Sequence, residues 1–293
     1  MRARTASSRV YAAGLTAILA AALGGCAATS SGTAATSSPA PSSPLDAVRL
    51  ASKTTSGANS FTGTMSLQVT PKPGSTGSHN VSFTATMAEQ LHPSLLVQVN
   101  VGTVSGTGST LPPGLDEIAT PTAIYMRWPF LTQALHLTKP WLAIPLSAMS
   151  KISGISFSQL FSQATSSSPL SESRMLAGAT SVHKVGTGTL GGVAVTEYTG
   201  TLSLDKGLAN LSGSVKAQVR KEISAAGLTT GTFTAWIDGQ HTVRKAIIHE
   251  NGTDLTETIT VTVDTINQPV NIAVPTANQT SPLPTGAVGS LSS

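Results

Sequence analysis

Hydrophobic positions in this chain recur mostly at every second residue. Between Ser60 and Val69, the apolar residues Phe61, Met65, Leu67 and Val69 alternate with Thr62, Thr64, Ser66 and Gln68. Val81, Phe83, Ala85 and Met87 alternate with Ser82, Thr84 and Thr86, and Leu95, Val97, Val99 and Val101 continue the pattern. Further on, Phe233, Ala235 and Ile237 repeat it. Leu255, Ile259, Val261 and Val263 then stand opposite Thr256, Thr258, Thr260 and Thr262. A period of two is the signature of strands with one apolar and one polar face. Threonine suits the polar face because its branched Cβ favours extended backbone. Turn residues divide the runs: Pro71, Pro73 and Gly74, then Gly191-Gly192, Asp238-Gly239 and Asn251-Gly252. Short polar connections of this kind predict an antiparallel sheet, wet on one side.

Three stretches carry helical spacing instead. Leu45 to Thr54 places Leu45, Val48, Leu50 and Ala51 on one stripe. Phe157, Leu160, Phe161 and Ala164 form a second. The third, Gly207 to Ala226, spaces Leu208, Leu211, Val215, Val219 and Ile223 by three or four, with Lys216, Arg220, Lys221 and Glu222 on its polar face. The predicted order is four or five strands, a helical middle, a hairpin, a helix and three strands. That order implies an α+β fold with helices on one face of the sheet.

The first 26 residues have a different pattern. Arg2, Arg4 and Arg9 precede thirteen almost wholly apolar positions, 11–23, and the only cysteine follows at 26. A helix over 11–23 spans about 20 Å, short of the ~30 Å hydrocarbon layer. A basic start, a short apolar stretch and small residues before a unique Cys describe a secretory signal. The ending Leu23-Gly24-Gly25-Cys26 resembles the bacterial lipobox, which implies that residues 1–25 are removed and Cys26 carries acyl chains. One chain holds a protein to a membrane only weakly, so two or three on Cys26 would anchor it durably. Residues 26–44 contain nothing between Cys26 and Pro44 larger than Thr or Pro and are expected to be a disordered tether. A second low-complexity stretch, 276–293, is expected to be a disordered tail, leaving 45–275 as the folded domain.

Composition narrows the function. Charged residues make up 10% of the 293 positions, and the net charge is +4. Without the three arginines of the signal the chain is close to neutral, so it lacks the electrostatic footprint that nucleic acid requires. One cysteine excludes a disulfide framework and a cysteine-cluster zinc site. The histidines at 79, 92, 136, 183, 241 and 249 lack helical i, i+4 spacing. No Gly-x-Ser-x-Gly elbow is present, and Gly102-x-x-x-Gly106-x-Gly108 lacks the Lys-Ser/Thr of a phosphate loop. No catalytic constellation, metal or cofactor is therefore expected. Asp116-Glu117, after two prolines, reads as a surface turn. Glu257 falls on the apolar side of its strand, which points to a residue near the sheet edge or to a polar anchor in a cavity. Tyr125-Met-Arg-Trp-Pro-Phe130 stands out in a chain only 4% aromatic. It reads as the wall of an apolar cavity, with Arg127 able to meet an anionic headgroup, or as ordinary core.

The lipobox and tether are followed by the strand meander, the helical middle and the segment GTGTLGGVAVTEYTG from Gly186 to Gly200. FTAWIDG from Phe233 to Gly239 and PVNIAVP from Pro269 to Pro275 come last. In this order the pieces resemble the actinobacterial LppX/LprA/LprF/LprG lipoproteins, of the half-barrel superfamily that includes LolA and LolB. The resemblance implies a strongly curved antiparallel sheet, a half-barrel, with a few helices covering its concave face. It also implies an apolar cavity that takes acyl chains of a lipid or glycolipid for carriage across the cell envelope. The residues that would line it are Met65, Leu67, Phe83, Met87, Val97, Val99, Met126, Trp128, Phe157, Leu160 and Phe161. The implied partners are that ligand and, through acylated Cys26, the outer side of the cell membrane. The same fold also accommodates an envelope sensor or scaffold that binds a membrane-protein partner.

Overall fold

The fold is taken from a computed structural model, which describes residues 41–74, 80–106, 114–148, 175–207 and 230–284, together with 216, 217, 220 and 224. The signal peptide, Cys26, most of the tether, the 157–164 stripe and nearly all of the 207–226 stripe lie outside the described residues.

Twelve strands form a single sheet among the described residues. They are β1 (Ser60–Pro71), β2 (Val81–Gln90), β3 (Leu96–Gly106), β4 (Leu115–Ala119), β5 (Ala123–Arg127), β6 (Trp141–Pro145), β7 (Ala179–Leu190), β8 (Val193–Ser203), β9 (Thr230–Asp238), β10 (Val243–Asn251), β11 (Leu255–Ile266) and β12 (Thr280–Pro282). Their order is β12-β6-β5-β4-β3-β2-β1-β11-β10-β9-β8-β7. Every pairing is antiparallel except β12 with β6. Two meanders, β1–β6 and β7–β11, thus join through β1 and β11, where Met65 faces Val261 and Leu67 faces Ile259. The mostly antiparallel sheet with few helices agrees with the fold class read from the alternation.

Side-chain alternation gives the sheet two unlike faces. On the polar face around β2, β1 and β11, Thr86, Thr64 and Thr262 lie in one row, and Thr84, Ser66 and Thr260 in the next. The Thr62 and Thr265 hydroxyls are 2.7 Å apart, and those of Ser82 and Ser105 2.6 Å. The opposite, inner face carries two apolar clusters. One, over β7–β10, contains Ala179, Leu202, Phe233, Ala235, Ile237, Val243, Ala246 and Ile248. The other spreads over β1–β6 and is described below.

Helix α1 (Pro44–Ser56) covers the first cluster. Its start is set locally: Ser43 accepts a hydrogen bond from the Asp46 N–H at 3.1 Å, and Pro44 fits the first turn. The Ser42 and Ser43 hydroxyls donate to the Asp46 carboxylate at 2.7 Å each and hold that carboxyl below its ordinary range. Val48 and Ala51, both 0% exposed, pack with Leu176 and Phe233. The Thr55 hydroxyl accepts the Val243 N–H at 2.8 Å, and Arg49 donates to the Ala179 carbonyl at 3.2 Å, so the helix is tied to the sheet from its middle and its C-terminal end. Helix α2 (Pro129–Ala134) is short and contains no buried residue. A 3₁₀ turn (Leu176–Gly178) and helix α3 (Leu204–Gly207) flank the β7–β8 hairpin.

Three sequence expectations change. Asp116-Glu117 is not a surface turn but the middle of β4, because Leu115, Ile118 and Ala119 around it are all buried. Glu257 is not at the sheet edge: β11 lies between β1 and β10. Part of the expected disordered tail, Thr280–Pro282, is a strand of the sheet. Thr280–Pro282 pairs with Trp141–Ala143, and the preceding chain packs Val270 and Ile272 on Ile118, Tyr125 and Trp141. That strap covers the polar-side face of β4–β6, so this part of the sheet is not wet.

Candidate functional site

The second inner cluster is built by register. Met65 of β1 faces Ala85 of β2, which faces Val101 and then Leu115; one row over, Met87, Val99, Glu117, Met126 and Leu142 follow in order from β2 to β6. A bulge at Phe83/Ala85 shifts the register, and Phe83 meets Val104. All eight described residues expected to line an acyl cavity fall in this one cluster. Met65, Phe83, Val97 and Val99 are buried in it, and Leu67, Met87, Met126 and Trp128 are half-buried against it. The three others, Phe157, Leu160 and Phe161, are outside the described residues, as is Cys26. The half-buried members matter most, because they retain apolar surface that the rest of the described chain does not cover. Trp128 also leads into α2, its ring centroid 5.2 Å from that of Phe130, which is 50% exposed.

Three carboxyls interrupt this greasy surface. Glu117 stands between Val99 and Met126, on the same side as Leu115 and Ala119. Burial pushes its carboxyl up to about 7, with no other cause. It makes no hydrogen bond or ion pair with the described residues. Glu257 faces Val69 on one side and Glu250 on the other, and burial raises it too. Glu89 is buried on the same face, between Phe61 and Val97.

Arg127 is not available to an anion on the inner face. It alternates with Met126 and therefore projects from the other side, where its guanidinium contacts the Asp116 carboxylate at 2.5 Å and lies 4.9 Å from the Trp141 ring centre. The adjacent acids Asp116 and Glu117 thus have opposite surroundings, one paired in the outer row and one among apolar side chains. Only Glu117's odd-numbered position, in step with Leu115 and Ala119, signalled this in the sequence.

Elsewhere, an open cleft of about 460 Å³ lies at the β1–β2 hairpin end, lined by Gln68, Val69, Thr70, Asn80, Val81, Ser82, Ser105 and Gly106. None of the expected acyl-binding residues lines it. His241 sits in the turn after β9 and His249 in β10, with its ring nitrogen 3.0 Å from the Thr258 hydroxyl. Among the described residues no three His, Cys, Asp or Glu side chains are grouped to hold a metal.

Comparison with solved structures finds mycobacterial lipoproteins. The chain is similar to LppX and LprF. LppX from Mycobacterium tuberculosis is 19% identical, with 78% of this chain and 97% of that one covered at a TM-score of 0.41. LprF from Mycobacterium bovis is 14% identical, with 81% and 99% covered at 0.46. A LolA superfamily protein from Nitrosomonas europaea is 7% identical, with 75% and 91% covered at 0.28. LppX and LprF are two of the lipoproteins that the order of segments in the sequence resembles. No family model and no curated protein matches the chain.

Proposed function

We propose that this protein is a membrane-anchored envelope lipoprotein that holds acyl chains of a lipid or glycolipid against the inner face of β1–β6 and carries them within the envelope. The observation that carries the reading is the single cluster of Met65, Leu67, Phe83, Met87, Val97, Val99, Met126 and Trp128, half of whose members keep exposed apolar surface. Binding needs no chemistry: transfer of apolar surface from water supplies about 25 cal/mol per Å². Cys26, acylated, holds the body beside the bilayer that supplies or receives the ligand. In support, α1 seats Val48 and Ala51 in the β7–β10 cluster and leaves the β1–β6 rows to other neighbours.

Native mass spectrometry of the delipidated mature body, offered diacyl lipid, tests the reading. The body should take up lipid, and Met126→Trp should reduce uptake at least tenfold while the protein stays folded, because Met126 is half-buried and tolerates bulk that buried Val97 does not. A folded body that takes up no offered lipid would overturn the carrier reading in favour of a scaffold binding a protein partner. Separately, Cys26→Ser should move the protein from the membrane fraction to the soluble fraction.

A further inference from the structure

We propose that Glu117 sets the headgroup class of the ligand: the inner face of β1–β6 accepts neutral acyl lipids that bring a hydroxyl or ester to this carboxyl, and disfavours lipids that place an anion there. The inference rests on the acyl-binding reading and deepens it.

The first part of the argument is position. Register fixes Glu117 between Val99 and Met126, both among the residues proposed to hold the chains, and Leu115 and Ala119 flank it along β4. Its carboxyl is half-buried, makes no hydrogen bond or ion pair with the described residues, and therefore has donor and acceptor capacity left for a ligand. Its neighbour Asp116 faces the other way and is taken by Arg127. A carboxyl in apolar surroundings costs stability unless it is paired, and Leu at this position would extend the cluster at no such cost. Ligand sites of this kind are mostly apolar, with a few placed polar groups that orient what binds.

The second part is charge. Across β1–β6 and β11 there is one basic residue, Arg127, and it lies on the opposite face. On the inner face Glu117 is accompanied by Glu89 and Glu257, and no cation from these strands joins them. An anionic headgroup placed beside Glu117 meets a like charge and, among the described residues of these strands, no counter-charge. A hydroxyl or ester suits Glu117 in either protonation state. The carboxylate accepts from a hydroxyl, and the neutral acid donates to an ester carbonyl.

The test offers two lipids with the same chains, dipalmitoylglycerol and dipalmitoylphosphatidate, each in phosphatidylcholine vesicles at pH 8. Bound lipid on the mature protein is counted by native mass spectrometry. The wild type should favour dipalmitoylglycerol at least tenfold. Glu117→Gln should keep that lipid and lose most of the discrimination. Glu117→Leu should fold, with a raised Tm, and bind dipalmitoylglycerol more weakly than wild type. If the wild type binds both lipids equally, or Glu117→Leu keeps the full preference, the inference fails and the acyl-binding reading stands. If neither lipid binds, both fall together.

Discussion

At the residue scale, Glu117 also makes a prediction about pH. An ordinary Glu titrates near 4.5, whereas burial raises this one to about 7 in the folded protein. Between those values the native state holds a proton that the unfolded chain has released. Stability is therefore highest below pH ~4.5 as far as this group is concerned, and falls as pH rises through 7. The full shift corresponds to an order of 3 kcal/mol at about 1.4 kcal/mol per unit. Glu257, also raised by burial, acts in the same direction. Urea titrations from pH 5 to 8 should show a declining midpoint, and Glu117→Gln should flatten most of that slope. An unchanged slope in the variant would place the titration elsewhere. Six of the eight apolar residues of the cluster, Met65, Leu67, Phe83, Met87, Val97 and Val99, are legible from alternation, since period two fixes which side each occupies; Met126 and Trp128 stand out only as part of an aromatic segment. Arg127 was misjudged by the same rule ignored: next to Met126 in a strand, it had to point away. Glu117 was hidden because two adjacent acids after prolines look like a turn, and only the buried Ile118 and Ala119 make the segment a strand.

At the element scale, the β9–β10 turn shows how a short polar sequence fixes a register. Asp238 ends β9 almost wholly buried, and its Oδ1 accepts the Gln240 and Thr242 N–H groups at 2.9 Å each. Its other oxygen accepts from Arg244 at 2.6 Å. This arrangement is an Asx-type turn closed by a largely buried ion pair. Asp238→Ala leaves two backbone donors and the guanidinium without their acceptor and should cost about 3 kcal/mol in urea denaturation. Asp238→Asn keeps the turn acceptor and should cost less. Equal losses in both variants would mean that the charge, not the turn, dominates. Gly200 of β8 is constrained in another way. A Cβ there would fall on the Ser181 carbonyl oxygen and within 2.8 Å of the Phe233 ring. Gly200→Ala should therefore destabilise the β7–β8 hairpin by a similar amount. The Asp-Gly and Gly-Gly turns were legible because their chemistry is local. The need for Gly at 200 depends on a partner strand and a ring over thirty residues away, which no local pattern reports.

At the scale of the whole molecule, the two apolar clusters have different neighbours. Helix α1 packs Val48 and Ala51 into the β7–β10 cluster, whereas the β1–β6 cluster has Glu117 among its apolar rows. The outer side of β4–β6 is then closed by the C-terminal strap, whose Ile272 and Val270 meet Trp141 and Tyr125. The strap ends in β12, where the Trp141 N–H donates to the Gln279 carbonyl at 3.2 Å and Lys139 donates to the Ala277 carbonyl at 2.8 Å. Its sequence resembles a tail because its hold on the sheet runs largely through backbone groups, which carry no hydrophobic periodicity. Without it β6 would be an edge strand carrying a row of open donors and acceptors beside Trp141 and Ile144, the kind of edge that pairs with other chains. Truncation after Pro275 should therefore lower Tm by several degrees and raise the oligomer fraction in size-exclusion chromatography, whereas truncation after Pro284 should do neither. Because the strap lies on the outer face and the proposed ligand on the inner one, the shorter chain should still take up lipid per folded monomer. Loss of uptake in a folded monomer would show that the two faces are coupled through β4–β6, with Asp116–Arg127–Trp141 on one side and Glu117–Met126–Leu142 on the other.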